Sequence, residues 1–240
     1  MKTWLLVAAE RREFDGIRKR MTNVATLNWA GLNGSGAQFA GVKFAMEAKY
    51  EGDRWWMIAN GPGRDLVEQA LPETVRKRVT ENVNGIISTG LCGALDPALR
   101  AGDIVVAGDA PSFRTTSTRR FIKGAMHSLD HVAVTSKEKR ILRNQTGAIA
   151  VDMETAAVRE RAESWGVPFY CVRVVSDSAG EDLPLDFNQY RDRRGDFSRI
   201  KIALAAMSSP IKVLPRLMEF DTSCRQAADT LGEFLADCKF

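Results

Sequence analysis

Short apolar runs alternate along the chain with longer stretches in which apolar side chains recur every three or four residues. The short runs predict strands, and the periodic stretches predict helices. The predicted strands are 3–9, 55–60, 85–89, 104–107, 132–135, 148–152 and 169–176. The predicted helices are 12–20, 65–79, 137–145, 153–165 and three more in the C-terminal quarter. Strands that are apolar throughout are covered by helices on both faces, so this alternation predicts an α/β fold with a largely buried sheet.

The first apolar run, residues 3–9, superficially resembles the core of a secretion signal. It has only seven residues, and the charged segment 10–13 follows at once. A signal or a membrane span needs a longer run, so we expect a buried strand that leads into a charged turn. No repeat or break in composition interrupts the chain, and we expect one domain spanning residues 1–240.

Composition narrows the class of protein. The chain has 240 residues, 34 Lys and Arg against 30 Asp and Glu, and a formal charge of +4. This small excess argues against nucleic acid as a partner. The four cysteines lack metal-ligand spacing and there are only two histidines, which argues against a structural zinc ion. Cys92 and Cys171 lie in apolar segments and are expected to be reduced, as in a cytoplasmic protein.

Two carboxylates stand at informative positions. Glu154 begins a predicted helix within the segment 151–157, and Asp177 lies just past the next predicted strand, after Ser176. Such a pair suits chemistry through a positively charged sugar, in which one carboxylate holds ribose hydroxyls and the other, protonated, hydrogen-bonds a departing base. The structural alternative is a helix-start carboxylate and a loop cap.

Residues 147–186 carry these carboxylates in one continuous stretch, GAIAVDMETAAVRERAESWGVPFYCVRVVSDSAGEDLPLD. The stretch resembles the nucleoside phosphorylase and nucleosidase superfamily. The resemblance implies a three-layer α/β/α domain with a central mixed β-sheet. It also implies cleavage of the N-glycosidic bond of a purine nucleoside without a cofactor, and a homo-oligomer.

The resemblance also implies roles for the residues of this stretch. Asp177 would protonate the purine N7 with Ser176 orienting it, Glu154 would accept hydrogen bonds from the ribose 2′- and 3′-hydroxyls, and Met153 would pack under the sugar. To act as an acid, Asp177 would have to be kept protonated by desolvation or by neighbouring negative charge. Arg173 is expected near the site, either as a site cation or in a structural ion pair.

A glycine turn at 88–95, followed by a strand that begins Gly-Asp at 102–103, extends the resemblance. Gly90 and Leu91 are expected beside the sugar and the nucleophile. The phosphorylase branch has an Arg and a Ser here as phosphate ligands, where this chain has Ser88 and Leu91. Leu91 has no side-chain donor. Phosphate would then depend on Arg64 or on the basic loop 114–123, so water is favoured as nucleophile and phosphate remains a candidate co-substrate.

Hydrolytic members of the superfamily use a Glu after the first strand to activate water. Glu10 and Glu13 are the candidates here, and Glu13 falls on the match if one inserted residue is allowed; without it the position is Arg12. We therefore expect Glu13 to be catalytic. The alternative is a helix-start carboxylate favoured by the helix dipole.

Segments 134–142 and 146–154 look like the hopanoid-associated branch of the superfamily, which implies an adenine nucleoside with a bulky, lipid-linked 5′ substituent. The apolar tail 200–220, interrupted by Pro210 and Pro215, would either contact a membrane surface or pack as helices. No stable membrane span is expected.

Two other classes of function compete with this interpretation of the sequence. One is a catalytically silent nucleoside-binding protein that retains the pocket. The other is a dinucleotide-binding protein, based on the glycines at 34–36 and 61–63. Neither glycine pair shows the complete GxGxxG pattern after a strand, and no phosphate-binding P-loop motif is present, so this class is disfavoured.

Overall fold

The computed structural model describes residues 1–29, 42–108, 113–192, 195–208, 211 and 213–240. Its strands are β1 Thr3–Ala8, β2 Thr22–Thr26, β3 Phe44–Tyr50, β4 Asp53–Ala59, β5 Gly85–Ala94, β6 Ile104–Ala107, β7 Arg114–Thr115, β8 Phe121–Lys123, β9 Met126–Ser128, β10 Ala150–Asp152, β11 Phe169–Asp177 and β12 Cys238–Lys239. Its helices are α1 Asp15–Arg18, α2 Arg64–Ala70, α3 Arg76–Asn82, α4 Ser136–Thr146, α5 Thr155–Trp165, α6 Arg199–Ser208 and α7 Val213–Ala236, with 3₁₀ turns at Arg11–Phe14, Glu73–Val75 and Phe187–Tyr190.

The main sheet has the strand order β2-β3-β4-β1-β5-β11-β6-β8, and β10 pairs with both β5 and β9. The central strands β4, β1, β5 and β11 run parallel, whereas β3 is antiparallel to β4, and β6 is antiparallel to β11. The sheet is therefore mixed, as expected.

Helices cover both faces of this sheet. Leu6 of β1 lies in a cluster with Ile17 of α1 and Leu231 of α7, whereas Leu5 lies in a second cluster with Val67 of α2 and further residues of α5. Alternate side chains of one strand thus enter opposite cores, which explains why β1 is apolar at almost every position. The three-layer α/β/α arrangement is confirmed.

The turn after β1 is held in place by a close approach of α1 to α7. A β-carbon added to Gly232 would lie 2.1 Å from the carbonyl carbon of Gly16, and one added to Gly16 would lie 2.4 Å from the carbonyl oxygen of Ala228. Only glycines allow backbones to approach this closely. The segment 11–14 is consequently fixed between β1 and α7.

Several predicted elements differ from the structure. Residues 132–135 form no strand, because the backbone of Val132 is hydrogen-bonded by the Asn188 side chain, whose Nδ2 and Oδ1 engage its carbonyl and amide. The predicted helix 65–79 is divided near Pro72, which cannot donate a helical hydrogen bond. The predicted basic loop 114–123 contains the short strands β7 and β8.

The C-terminal region forms α6 and the long helix α7. Pro215 lies in the first turn of α7, where a missing amide proton is tolerated, and does not break the helix. Leu231 and Phe234 of α7 are fully buried, while Ile200 and Leu204 of α6 are 76% and 61% exposed. Helical packing therefore describes most of α7 and leaves an apolar surface on α6.

Some predictions fall outside the described residues, namely the glycines at 34–36 and Pro210. Within the described ranges, each helix is too short or too polar to traverse a lipid bilayer.

Candidate active site

The C-terminal half of β5 forms one wall of the candidate site, and its backbone has φ +126° at Gly90. A β-carbon at this residue would lie 2.4 Å from Oε1 of Glu13, far inside normal non-bonded contact. Glycine is needed here for its backbone conformation and for the close approach of a carboxylate.

Glu13 is buried in the 3₁₀ turn that follows β1. Its Oε1 accepts a hydrogen bond from the Leu91 amide at 2.7 Å, and its Oε2 accepts one from the Glu10 amide at 2.7 Å. Burial raises the pKa of Glu13, although the nearby Arg173 opposes this shift. Of the two candidates after the first strand, Glu13 is the one whose carboxylate lies against the glycine turn.

Arg173, in the middle of β11, is fully buried. Its Nη2 lies 2.8 Å from Oδ2 of Asp152 and donates to Ser88 Oγ at 2.9 Å, and its Nη1 lies 3.3 Å from Oε2 of Glu154. Burial alone would lower the pKa of Arg173, but the carboxylates outweigh it and raise the pKa. The guanidinium of Arg173 is thus held in ion pairs with Asp152 and Glu154.

Asp152 anchors this buried network from β10. Its Oδ2 accepts hydrogen bonds from the Thr155 amide at 3.0 Å and from the Thr155 hydroxyl, and its Oδ1 accepts one from Ser128 Oγ at 2.6 Å. The Ser128 hydroxyl oxygen in turn accepts from the Ala156 amide at 3.0 Å. The start of α5 is thus fixed relative to β9 and β11, and so is the residue that precedes it.

That preceding residue is Glu154, which is buried. Its Oε1 accepts from the Gly63 amide at 2.9 Å. Burial raises the pKa of Glu154, Arg173 opposes the shift, and Asp152 and Glu13 add to it, so that the pKa reaches about 7. Met153 is also buried, and its Cε lies 3.7 Å from where a β-carbon of Gly63 would be.

Asp177 ends β11 on the far side of β5, paired in register with Gly93. Its Oδ1 accepts a hydrogen bond from Ser176 Oγ at 2.5 Å, and the same hydroxyl lies 3.1 Å from the Cys92 carbonyl oxygen. The Ser176 hydroxyl therefore contacts both the Asp177 carboxyl group and the backbone of β5. A β-carbon on Gly93 would lie 3.2 Å from Asp177 Oδ2, so this glycine also admits a carboxylate.

Asp177 is buried, but its charged neighbour is a cation and not a second carboxylate. The fully buried Lys139 of α4 places its Nζ 2.6 Å from Asp177 Oδ2. The Lys139 ammonium and the Asp177 carboxyl group thus form a buried ion pair at the end of β11.

Both candidate catalytic groups face one strand. Glu13 lies beside Gly90 and Leu91, and Asp177 lies beside Gly93. Three residues of strand separate these points, roughly 10 Å at the usual rise. Arg173 connects Glu154 to the same turn. Its Nη1 lies 3.3 Å from Glu154 Oε2 and 3.2 Å from the Leu91 carbonyl oxygen.

Sequence reasoning missed Asp152 and Lys139. Lys139 stands in a charged run, which suggests a solvated face, yet Leu142 lies three residues later on the same side of α4 and packs against a buried cluster. The helical period therefore carried a signal for Lys139. Asp152 offered a weaker one, a carboxylate inside an apolar strand.

The expected phosphate ligands do not converge on this turn. Arg64 is held at the surface by Glu160, with guanidinium–carboxylate distances of 2.6 and 2.7 Å. In the basic segment 114–123, Arg119 pairs with Glu233 of α7. Ser88 is fully buried, where its hydroxyl accepts from Arg173 and lies 3.1 Å from the hydroxyl of Thr155.

Comparison with known proteins gives a consistent family. Residues 113–206 match the model of the phosphorylase superfamily. The 5′-methylthioadenosine/S-adenosylhomocysteine nucleosidase of Shewanella halifaxensis is 35% identical over 66 residues, which cover 28% of this chain and 29% of that protein. The nucleosidase of the same description from Staphylococcus epidermidis is 26% identical over 162 residues, covering 53% of this chain and 71% of that protein.

Solved structures share the fold over nearly the whole chain. The 5′-methylthioadenosine/S-adenosylhomocysteine nucleosidase of Neisseria meningitidis, in complex with methylthio-immucillin-A, has a TM-score of 0.67 at 19% identity, covering 99% of this chain and 98% of that one. The futalosine hydrolase of Helicobacter pylori has a TM-score of 0.65 at 17% identity, covering 98% and 95%.

Proposed function

We propose that this chain, which belongs to the nucleoside phosphorylase and nucleosidase superfamily, cleaves the N-glycosidic bond of a purine nucleoside and releases the free base. We propose adenine as the base and water as the nucleophile. The observation that carries the proposal is the buried arrangement of Glu13, Glu154 and Asp177 along one strand, β5. The names of the similar nucleosidases support it.

Glu154 is proposed to hold the ribose. Each of its oxygens already has one partner, the Gly63 amide or the Arg173 guanidinium. A carboxylate oxygen has two acceptor positions, so each retains one for a ribose hydroxyl. Arg173 opposes the effect of burial on the Glu154 carboxylate, and Met153 would provide an apolar surface under the sugar. Gly90 and Leu91 would form the opposing wall.

Glu13 is proposed to activate water. Its raised pKa brings a carboxylate base nearer to neutral pH, where general bases are most effective. The water oxygen would bond to the sugar C1′, and its proton would pass to Glu13. The C1′–N9 bond breaks at the same stage, and the bonding electrons leave with the base, which gains a proton at N7 through Asp177.

Water is favoured over phosphate because the groups near Gly90 that bind anions are engaged. The Leu91 amide already donates to Glu13. The Arg173 guanidinium is paired with Asp152 and Glu154. A phosphate at this position would also face the Glu13 carboxylate, and like charges at short range repel.

The substrate is proposed to carry an apolar 5′ substituent, as the resemblance to the hopanoid-associated branch implies. The similar nucleosidases are named for substrates that are themselves 5′-substituted adenosines. Each buried methylene adds about 0.8 kcal/mol to binding, so kcat/KM should rise with the length of a 5′-alkyl group. Equal or better kcat/KM for unmodified adenosine would reject this part of the proposal.

We also propose that the protein is a cytoplasmic homo-oligomer. Support comes from four free, buried cysteines and from exposed apolar side chains on α6 and α7, including Ile200, Leu204 and Met218. Light scattering after gel filtration measures the mass directly, and a mass of one chain at micromolar concentration would contradict the oligomer.

The proposed activity is tested with a panel of purine nucleosides, with and without phosphate. We expect free adenine and free sugar at a rate that is independent of phosphate. Sugar 1-phosphate formed in proportion to added phosphate would establish phosphorolysis instead. Binding of nucleosides without release of any base would indicate a silent binding protein.

A further inference from the structure

Lys139 is a fully buried cation that the proposed chemistry leaves unused. Its Nζ donates to Asp177 Oδ2 at 2.6 Å, to the Ser178 carbonyl oxygen at 2.9 Å and to the Glu181 carbonyl oxygen at 2.9 Å. An ammonium group has three protons, and each has an acceptor here. Lys139 therefore fixes the position of the Asp177 carboxyl group and also that of the loop which follows β11.

This contact changes how the base can be protonated. With the Lys139 ammonium on Oδ2 and the Ser176 hydroxyl on Oδ1, both Asp177 oxygens accept hydrogen bonds, an arrangement that stabilises the carboxylate. A carboxylate has no proton to give. The buried ammonium–carboxylate pair, however, holds a transferable proton on the Lys139 nitrogen.

We propose that Lys139 is a positioning residue that supplies the proton which Asp177 delivers to the departing base. This inference rests on the proposed function. An N–H bond of the ammonium breaks as an O–H bond forms on Asp177, and that O–H bond breaks as an N–H bond forms at the purine N7. Lys139 is left as a neutral amine. The proton that the attacking water gives to Glu13 balances this loss and returns to Lys139 through solvent.

Three other titratable groups near Lys139 and Asp177 do not change protonation state near neutral pH. Cys92 of β5 and Cys224 of α7 interact electrostatically with Asp177, and burial raises the pKa of both thiols, that of Cys224 to about 12. Asp182, which interacts with Lys139, has its pKa lowered by a hydrogen bond from the Ser136 amide. Across the neutral pH range the two thiols therefore stay protonated and the Asp182 carboxylate stays deprotonated.

One group with a relevant titration contacts Glu138, the residue that precedes Lys139. His131 is hydrogen-bonded to Asp130 and Glu138, and these bonds raise its pKa. His131 is retained in every variant below, so its titration is common to all profiles and cancels when they are compared.

The test is the pH profile of base release by wild type and Lys139→Met, with Lys137→Met as matched control. Lys137 is exposed on the same helix. Wild type and the control should remain active above neutral pH. Lys139→Met has no ammonium proton to pass to Asp177, so the alkaline limb of its kcat profile, where activity falls as the pH rises, should lie at lower pH than in wild type.

A second variant, Lys139→Gln, keeps a hydrogen-bond donor for the loop carbonyls but has no transferable proton. It should show the same displaced limb, and circular dichroism reports whether each variant is folded. An alkaline limb at the wild-type pH in a folded Lys139 variant would overturn the inference, even if kcat were uniformly lower, because a structural role lowers kcat without moving the limb.

Wild type provides an independent check that needs no variant. An alkaline limb below neutral pH in wild type would also overturn the inference, whether or not the variants fold. Failure of wild type to release any base would instead reject the proposed function, which is a different result from an unmoved limb in an active enzyme.

Discussion

Gly90→Ala tests whether the close contact between β5 and Glu13 maintains the site. Alanine at this position would place a methyl group 2.4 Å from Glu13 Oε1 and 3.1 Å from Arg173 Nη1, on a backbone with φ +126°. The substitution therefore imposes backbone strain and also pushes the carboxylate away from the Leu91 amide. Both stability and activity should fall.

The two effects can be separated with Gly102→Ala. Gly102 has φ +90°, and a β-carbon there meets no atom within 4 Å, so this variant measures backbone strain alone. Such strain is of order 1–3 kcal/mol. Loss of the hydrogen bond from Leu91 to the Glu13 carboxylate adds about 1.5–3 kcal/mol. Gly90→Ala should therefore destabilise by about 2.5–6 kcal/mol, and Gly102→Ala by about 1–3 kcal/mol.

These free energies of unfolding can be measured by urea unfolding. The proteins to compare are Gly90→Ala, Gly102→Ala, Glu13→Ala and the double variant Gly90→Ala/Glu13→Ala. With the Glu13 carboxylate removed, the cost of Gly90→Ala should fall towards that of Gly102→Ala, and only the contact with Arg173 Nη1 at 3.1 Å should keep it higher. Base release should fall by about 10²–10⁴ in Gly90→Ala and remain near wild type in Gly102→Ala. Equal destabilisation by Gly90→Ala with and without Glu13 would refute the proposed contact.

The remaining predictions concern Glu154. Glu154→Gln should lower kcat/KM for ribonucleosides by about 10–100-fold, since hydrogen bonds to charged groups contribute about 1.5–3 kcal/mol. It should also abolish the preference of wild type for a ribonucleoside over its 2′,3′-dideoxy analogue; an undiminished preference would contradict the assigned role. The raised pKa of Glu154 means that the folded state binds more protons than the unfolded state between the ordinary value of 4.5 and about 7. The stability of wild type relative to Glu154→Gln should therefore decline as pH rises through this window, by an amount on the order of 1–3 kcal/mol in urea unfolding, and a constant difference would contradict the raised pKa.

Much of the central sheet could be predicted because its strands are buried on both faces. The runs that contain Leu5, Ile86 and Val172 leave few alternatives to a covered sheet. The edge strand β2 was missed because all five of its residues are exposed and show no apolar alternation. The strand predicted at 132–135 was wrong. The backbone of Val132 is hydrogen-bonded by the side chain of Asn188, a tertiary contact that the local apolar pattern does not reveal.

The candidate site could be predicted in part. Glu154 and Asp177 were identified because they sit where a strand meets a helix or a loop, next to a stretch that resembles a known family. The cation beside Asp177 was not, because Lys139 approaches from α4, 38 residues away in sequence. Ion pairs over such separations depend on how helices pack on the sheet, which local patterns do not encode.

The most direct test of the central claim is adenine release in phosphate-free buffer by wild type and Asp177→Asn, at matched concentrations of folded protein. Asparagine has the size of aspartate but cannot relay a proton. The substitution should therefore lower kcat by about 10²–10⁴. Wild type should release adenine and free sugar steadily without phosphate. Release by Asp177→Asn at the wild-type rate, or no release by wild type without phosphate, would contradict it.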